Sequence, residues 1–186
     1  MKRLFLVLLF SAGALFTSAQ ETKFPILDSS PADILYYPLN AAKDKSANSG
    51  PVVRVLYSRP QKKGREIFGV LEQFGNVWRV GANESTEIRF YKSVRLNGKK
   101  VAKGTYSLFA IPQKDKWTII INRQTDRWGA FSYDPSKDVL RTDISVRKSA
   151  KVIQALSMTF EDTAAGANLI IGWDETIVAV PLSFKK

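Results

Sequence analysis

The chain of 186 residues contains no histidine and no cysteine. Lacking histidine, it has no side chain that ordinarily titrates near neutral pH, and so lacks the commonest general base and metal ligand. Lacking cysteine, it has no thiol nucleophile, no thiolate zinc site and no disulfide. Acid is scarce as well, with 17 Asp and Glu against 28 Lys and Arg and a formal net charge of +11. Any chemistry must come from guanidinium, ammonium, carboxylate, amide, hydroxyl and indole groups. With no disulfide to staple it, the domain must be held by burial. Eleven Phe, six Tyr and four Trp supply the area, each fully buried ring being worth roughly 4–6 kcal/mol as an upper bound.

Residues 1–19 have the pattern of an export signal. Lys2 and Arg3 precede the apolar run Leu4 to Phe10, and Thr17 and Ala19 form a small-x-small cleavage site, so the mature chain is expected to start at Gln20. The apolar run is shorter than the ~20 residues of a membrane-spanning helix, and no later segment approaches that length. The expected location is therefore the periplasm or the exterior. A nucleic-acid partner is not expected for an exported chain whose basic residues are dispersed. Lys62-Lys63 and Lys99-Lys100 are short runs at turns and read as solvated loops. Acidic glycans or anionic headgroups suit the remaining charge better.

Residues 20–50 carry Pro25, Pro31 and Pro38 and end in a polar stretch from Ala42 to Gly50. They read as an extended arm with one edge strand near Ile34 to Tyr37, followed by a flexible loop. From residue 51 the hydrophobic pattern has period two. Val53, Val55 and Tyr57 alternate with Arg54, Leu56 and Ser58, and the same alternation recurs at Thr86 to Tyr91, Leu140 to Arg147, Leu156 to Glu161 and Val178 to Phe184. Asn97-Gly98 marks a two-residue hairpin, and Lys114 to Lys116 joins two further strands. About nine to ten short strands without an amphipathic helix predict an all-β domain over 51–186, an antiparallel β-sandwich of jelly-roll type. Trp117 and Trp173 fall on core faces of their strands. Tyr106, at a strand start, reads as a packed corner residue whose hydroxyl bonds nearby backbone.

Polar groups gather in four segments: Tyr57-Ser58-Arg59-Pro60 leading to Lys63-Gly64-Arg65-Glu66-Ile67-Phe68-Gly69, then Val77-Trp78-Arg79-Val80-Gly81-Ala82-Asn83-Glu84, Gly104-Thr105-Tyr106-Ser107-Leu108-Phe109, and Trp128 to Pro135. With these motifs, from about Pro51 to the last strand, the chain resembles the exported bacterial family catalogued as domain of unknown function 2911. The resemblance implies an all-β fold and a signal peptide, and carries no established activity or ligand.

The residues themselves suggest a binding surface. Arg59, Arg65 and Arg79 stand beside turn glycines, and Asn83 and Glu84 precede a strand. One arginine paired to Glu84 would leave the other guanidinium forks open for a carboxylate, phosphate or sugar acid, with Asn83 orienting it and Trp78 and Trp128 as stacking platforms. The alternatives are arginines that merely lock loops together, a hydrolase using Glu84 as acid or base, and a structural domain that docks partners by a sheet edge or the arm. Asp134 and Asp138 fit an Asp-Pro capped turn better than a calcium loop. No cofactor or metal is expected.

Overall fold

A computed structural model describes residues 21–41 and 50–184. The export signal at 1–19 and most of the expected flexible loop, residues 42–49, lie outside those described. The chain is all-β. Its strands are β1 (Ala32–Tyr37), β2 (Val53–Ser58), β3 (Glu87–Phe90), β4 (Val94–Leu96), β5 (Lys99–Val101), β6 (Gly104–Pro112), β7 (Lys116–Asn122), β8 (Asp138–Thr163) and β9 (Gly166–Ser183). They form one antiparallel nine-stranded sheet in the order β1-β2-β3-β6-β7-β8-β9-β4-β5. Among the described residues the helical content is a single 3-10 turn, Pro135–Lys137, capped by Asp134, whose carboxylate accepts from the Ser136 N–H at 2.8 Å. Among the described residues no helix is long and apolar enough to cross a membrane.

Alternation translates into burial as expected in β2, where Val53, Val55 and Tyr57 are buried. The central strands β6 and β7 are buried on both faces, from Tyr106 to Ala110 and from Ile119 to Asn122. Asn97 and Gly98 both take positive φ, 45° and 79°, and close the β4–β5 hairpin. The edge strand of the arm is β1, paired antiparallel with β2 from Ala32–Ser58 to Tyr37–Val53. Trp117 and Trp173 are fully buried, and the Tyr106 hydroxyl donates to the Ala102 carbonyl at 3.2 Å.

Strand continuity differs from the pattern in the sequence. Leu140–Arg147 and Leu156–Glu161 are parts of one strand, β8, and Trp173 shares β9 with the run that begins at Val178. The polar stretch between the apolar runs of β8 breaks the alternation but not the extended backbone; it shows up as register shifts between Lys148 and Ile153 and between Ile153 and Ser157. At that irregular point the chain leaving β2 meets β8. Gln61 bridges to Ala155, Lys62 N–H donates to the Gln154 carbonyl at 2.6 Å, and Leu156 N–H donates to the Pro60 carbonyl at 3.0 Å. The buried Tyr57 hydroxyl also accepts the Met158 amide at 2.9 Å. These bonds join strands four places apart in the sheet order.

Tyr57→Phe keeps the ring but strands the Met158 amide away from water. We expect a loss of about 1–3 kcal/mol in urea unfolding, with an unchanged denaturant slope. A loss below about 0.5 kcal/mol would mean that this bond does not hold β2 to β8.

Candidate functional site

The loop from Val77 to Thr86 is pinned at its start. Trp78 exchanges both backbone hydrogen bonds with Ala110 of β6, at 2.7 and 2.9 Å, and its buried ring packs against Phe68, Trp117 and Trp173 with centroids 5.6, 5.5 and 6.1 Å away. Val80, two residues on, is fully buried with φ of +55°. A β-branched residue in that region is an outlier that costs on the order of 1–3 kcal/mol and persists only where its surroundings enforce it. Here Thr86 enforces it: its amide donates to the Arg79 carbonyl at 3.1 Å and its hydroxyl to the Val80 carbonyl at 2.8 Å. Gly81 follows where a Cβ would stand 3.2 Å from both the Ser58 carbonyl oxygen and the Thr86 hydroxyl. The strained turn places Arg79 in the wall of a cavity.

That cavity has a volume of about 360 Å³ and is lined by Lys63, Arg65, Glu72 and Arg79, with fully buried Trp173 beneath. Its Gln61–Arg65 wall is tied down by Lys62, which forms a 2.8 Å ion pair with Asp174, next in sequence to Trp173. Arg65 folds back on this wall, its Nε donating to the Lys62 carbonyl at 3.0 Å and a terminal nitrogen to the Gln61 carbonyl. Arg79 has no ion pair among the described residues, and its buried Nε has no hydrogen-bond acceptor. Glu72 is held by its backbone, the N–H donating to Ile67 at 2.8 Å and the carbonyl accepting from Gly69 at 2.9 Å. Burial pushes the Glu72 carboxyl up to about 7, against the opposing pull of the Arg79 and Arg65 charges and of the Trp78 indole. That indole acts from beyond hydrogen-bond geometry, since Trp78 Nε1 has no acceptor within it.

The residues singled out in the sequence do not all converge. Arg65 and Arg79 share the cavity. Arg59 is a clamp rather than an open fork: Nε donates to the Leu156 carbonyl at 3.1 Å, one terminal nitrogen pairs with Asp33 at 3.1 Å, and the other donates to Ser157 at 2.9 Å. Trp78 is core, not a platform, because it is 3 % exposed inside the aromatic cluster. Asn83 has φ of +59°, a conformation its side chain tolerates, and its carbonyl accepts from Gly129 at 2.9 Å. Glu84 pairs its backbone with Trp128, which is 62 % exposed, and lines a separate hollow of about 260 Å³ with Glu87 and Asp126. Glu87 is ion-paired to Arg54. Asp138 is engaged by Arg141 and Tyr133, each at 2.6 Å. Among the described residues no group of three acids is placed to hold a metal ion.

Glu72 was not singled out in the sequence. Its one signal there is to be the only acid between Ile67 and Trp78, with Arg65 and Arg79 bracketing that apolar-rich loop. Spacing alone does not turn it toward the arginines.

A family model described as protein of unknown function (DUF2911) matches residues 39–182. Comparison with curated proteins and with solved structures finds no match.

The raised Glu72 pKa has a signed consequence for stability. The folded state holds this proton up to pH about 7, whereas the unfolded chain releases it near the ordinary carboxyl value of 4.5. Stability is therefore lost as pH rises through that window, by up to about 3 kcal/mol before solvent screening at this partly buried group is counted. Asp134 and Asp143, held below the usual range by hydrogen bonds from Ser136 and from Lys116 and Thr118, act at lower pH and with the opposite sign. Glu72→Gln should be more stable than the parent at pH 8 and should flatten the profile between pH 5 and 8. Parallel profiles for parent and variant in urea titrations would show that Glu72 is not buried as described.

Proposed function

The chain belongs to the family of proteins of unknown function DUF2911, and from its cavity we propose that it binds a small anionic ligand, a carboxylate or phosphate of sugar size, between Arg65 and Arg79. The observation that carries this reading is that the two guanidinium groups line one cavity and neither is ion-paired to an acid among the described residues. With Lys63 on the same wall, three cations face one carboxyl that is half-protonated near neutrality. The field inside thus favours a negative group. The volume of about 360 Å³ lies at the small end of ligand sites, which run from about 300 to 1,000 Å³. The enforced φ of Val80 supports the reading too, since strain held by surrounding bonds is concentrated at working sites.

On this reading the protein is exported and acts on a ligand outside the cytoplasm, following the leader expected at residues 1–19. Its scaffold is a β-sandwich of jelly-roll type, supported by the bonds that bring β2 against β8. A hydrolase using Glu84 is the second reading, favoured by Asp126 sharing the hollow of Glu84. It requires hydrolytic turnover that Glu84→Gln abolishes.

A thermal-shift screen of the exported chain against sugar acids, sugar phosphates and simple carboxylates tests the binding reading. A ligand at ~100 times its dissociation constant adds about 2.7 kcal/mol. Arg79→Ala should remove that shift while leaving the protein folded, and binding should tighten between pH 8 and pH 6 as Glu72 takes up its proton. A ligand whose shift survives Arg79→Ala, or a screen with no anionic hit, overturns the proposal.

A further inference from the structure

Between Glu87 and Asp115 the sequence contains no acidic residue. In the fold this stretch supplies β3, the β4–β5 hairpin and β6, and leaves Arg89, Lys92, Arg95, Lys100 and Lys103 exposed. They line two shallow hollows. Arg89 and Lys103 share one of about 380 Å³ with Tyr91. Lys92, Arg95 and Lys100 share another of about 460 Å³ with Phe184. Tyr91 of the first hollow and Lys92 of the second are consecutive residues.

None of these five cations is ion-paired among the described residues, although six other Lys and Arg side chains are. Arg95 and Lys100 moreover stand directly opposite each other across the hairpin, a like-charge pair that weakens strand pairing. Arg89 is likewise opposite Arg54, but there Glu87 neutralises the neighbour. Protection of a sheet edge accounts for lysines on β5, the last strand in the sheet order. It does not account for Arg89, Lys92 or Lys103, which lie off that strand.

We propose that this face binds a linear acidic polysaccharide, whose carboxylate or sulfate groups are met in succession by the two hollows. Membrane docking would need apolar side chains to insert, and Tyr91, 36 % exposed, is the only large exposed hydrophobic of this stretch among the described residues. Single-stranded nucleic acid would need free aromatic faces for its bases. Here a cation already lies over one face of each ring: the Arg89 guanidinium sits 4.8 Å from the Tyr91 centroid and the Lys92 ammonium 5.7 Å from that of Phe184. Those contacts also hold the cations in place before a ligand arrives. The surface is thus an array of separate positive charges, two of them held over rings, which suits charges spaced along a saccharide chain. It is distinct from the Arg65/Arg79 cavity, with which it shares no residue.

The test is biolayer interferometry of the protein on immobilised polygalacturonate and dextran sulfate, with neutral dextran as control, at salt from about 50 to 200 mM. The expected result is binding to both acidic polymers that falls linearly on logarithmic axes with salt. The triple variant Lys92→Ser/Arg95→Ser/Lys100→Ser should lose roughly tenfold or more in affinity and lower the salt slope by about two. The charge-matched triple Lys23→Ser/Lys114→Ser/Lys151→Ser should change affinity by less than about twofold, and Arg79→Ala should bind the polymers as the parent does, which separates this proposal from the cavity. The hairpin variant relieves a like-charge pair and is expected to stay folded, as its melting temperature will report. Absence of binding, equal binding to neutral dextran, or equal loss in the charge-matched control overturns the inference. So does tighter binding, through the same three residues, to duplex DNA or to phosphatidylglycerol vesicles.

Discussion

The packing of Trp78 against Phe68, Trp117 and Trp173 is the constraint on which the candidate site depends. These rings draw on β7, β9 and the loops between β2 and β3, so segments far apart in the chain are held at one point without disulfides. Trp78 cannot move without breaking two backbone bonds to Ala110, and Thr86 closes the turn behind it. Within that short span the backbone is driven into the left-handed region at a buried valine. The position of Arg79 is therefore inherited from the core, and so is its lack of a neutralising partner. Trp173, under the cavity floor, belongs to the same cluster.

Much of the scaffold was legible because its causes are local. Period-two alternation in Val53 to Ser58 reports one buried and one open face, and Asn97-Gly98 reports a turn that needs positive φ twice. The hydroxyl of Tyr106 and the burial of Trp117 and Trp173 follow from their places in such strands. Membership of a known family was also written in the motifs from Tyr57 to Phe109. The unity of β8 was not legible, because an extended backbone survives a break in alternation when register shifts absorb it. Nor was the fate of the polar residues. Arg59 and Arg79 look alike in sequence, each ending an apolar run before a turn. Which one is neutralised depends on Asp33, which reaches Arg59 only because β1 lies beside β2. Glu72 was invisible for the same reason: its environment is made by the ring cluster and two arginines from other loops.

Charge is distributed in the fold with a consistent logic. Cations that join elements are neutralised where they do so: Lys62 to Asp174 at the cavity wall, Arg54 to Glu87 between β2 and β3, and Arg59 to Asp33 at the arm. Those in the cavity and on the acid-free hairpin face are not. Surface ion pairs contribute little each, so the chain would lose little stability by adding acids to this face or reversing a lysine there. Retaining Arg95 opposite Lys100 goes the other way, since it leaves a repulsion uncompensated. An uncompensated local cost of this kind is expected where a surface serves something other than folding.

The two proposed anion sites differ in physics, and the difference separates them. The cavity is partly buried, so its field is weakly screened, and it contains a carboxyl that changes charge near neutral pH. Its affinity must follow pH more than salt. The hairpin face is exposed and its cations are arginines and lysines. With a screening length of about 8 Å at physiological salt, its attraction must follow ionic strength. A polymer held on the outer face and a small anion held inside would thus respond to different solution variables even if both were acidic sugars. On the two proposals above, that division would let one chain hold an acidic polymer while it binds, independently, a small anion of related chemistry.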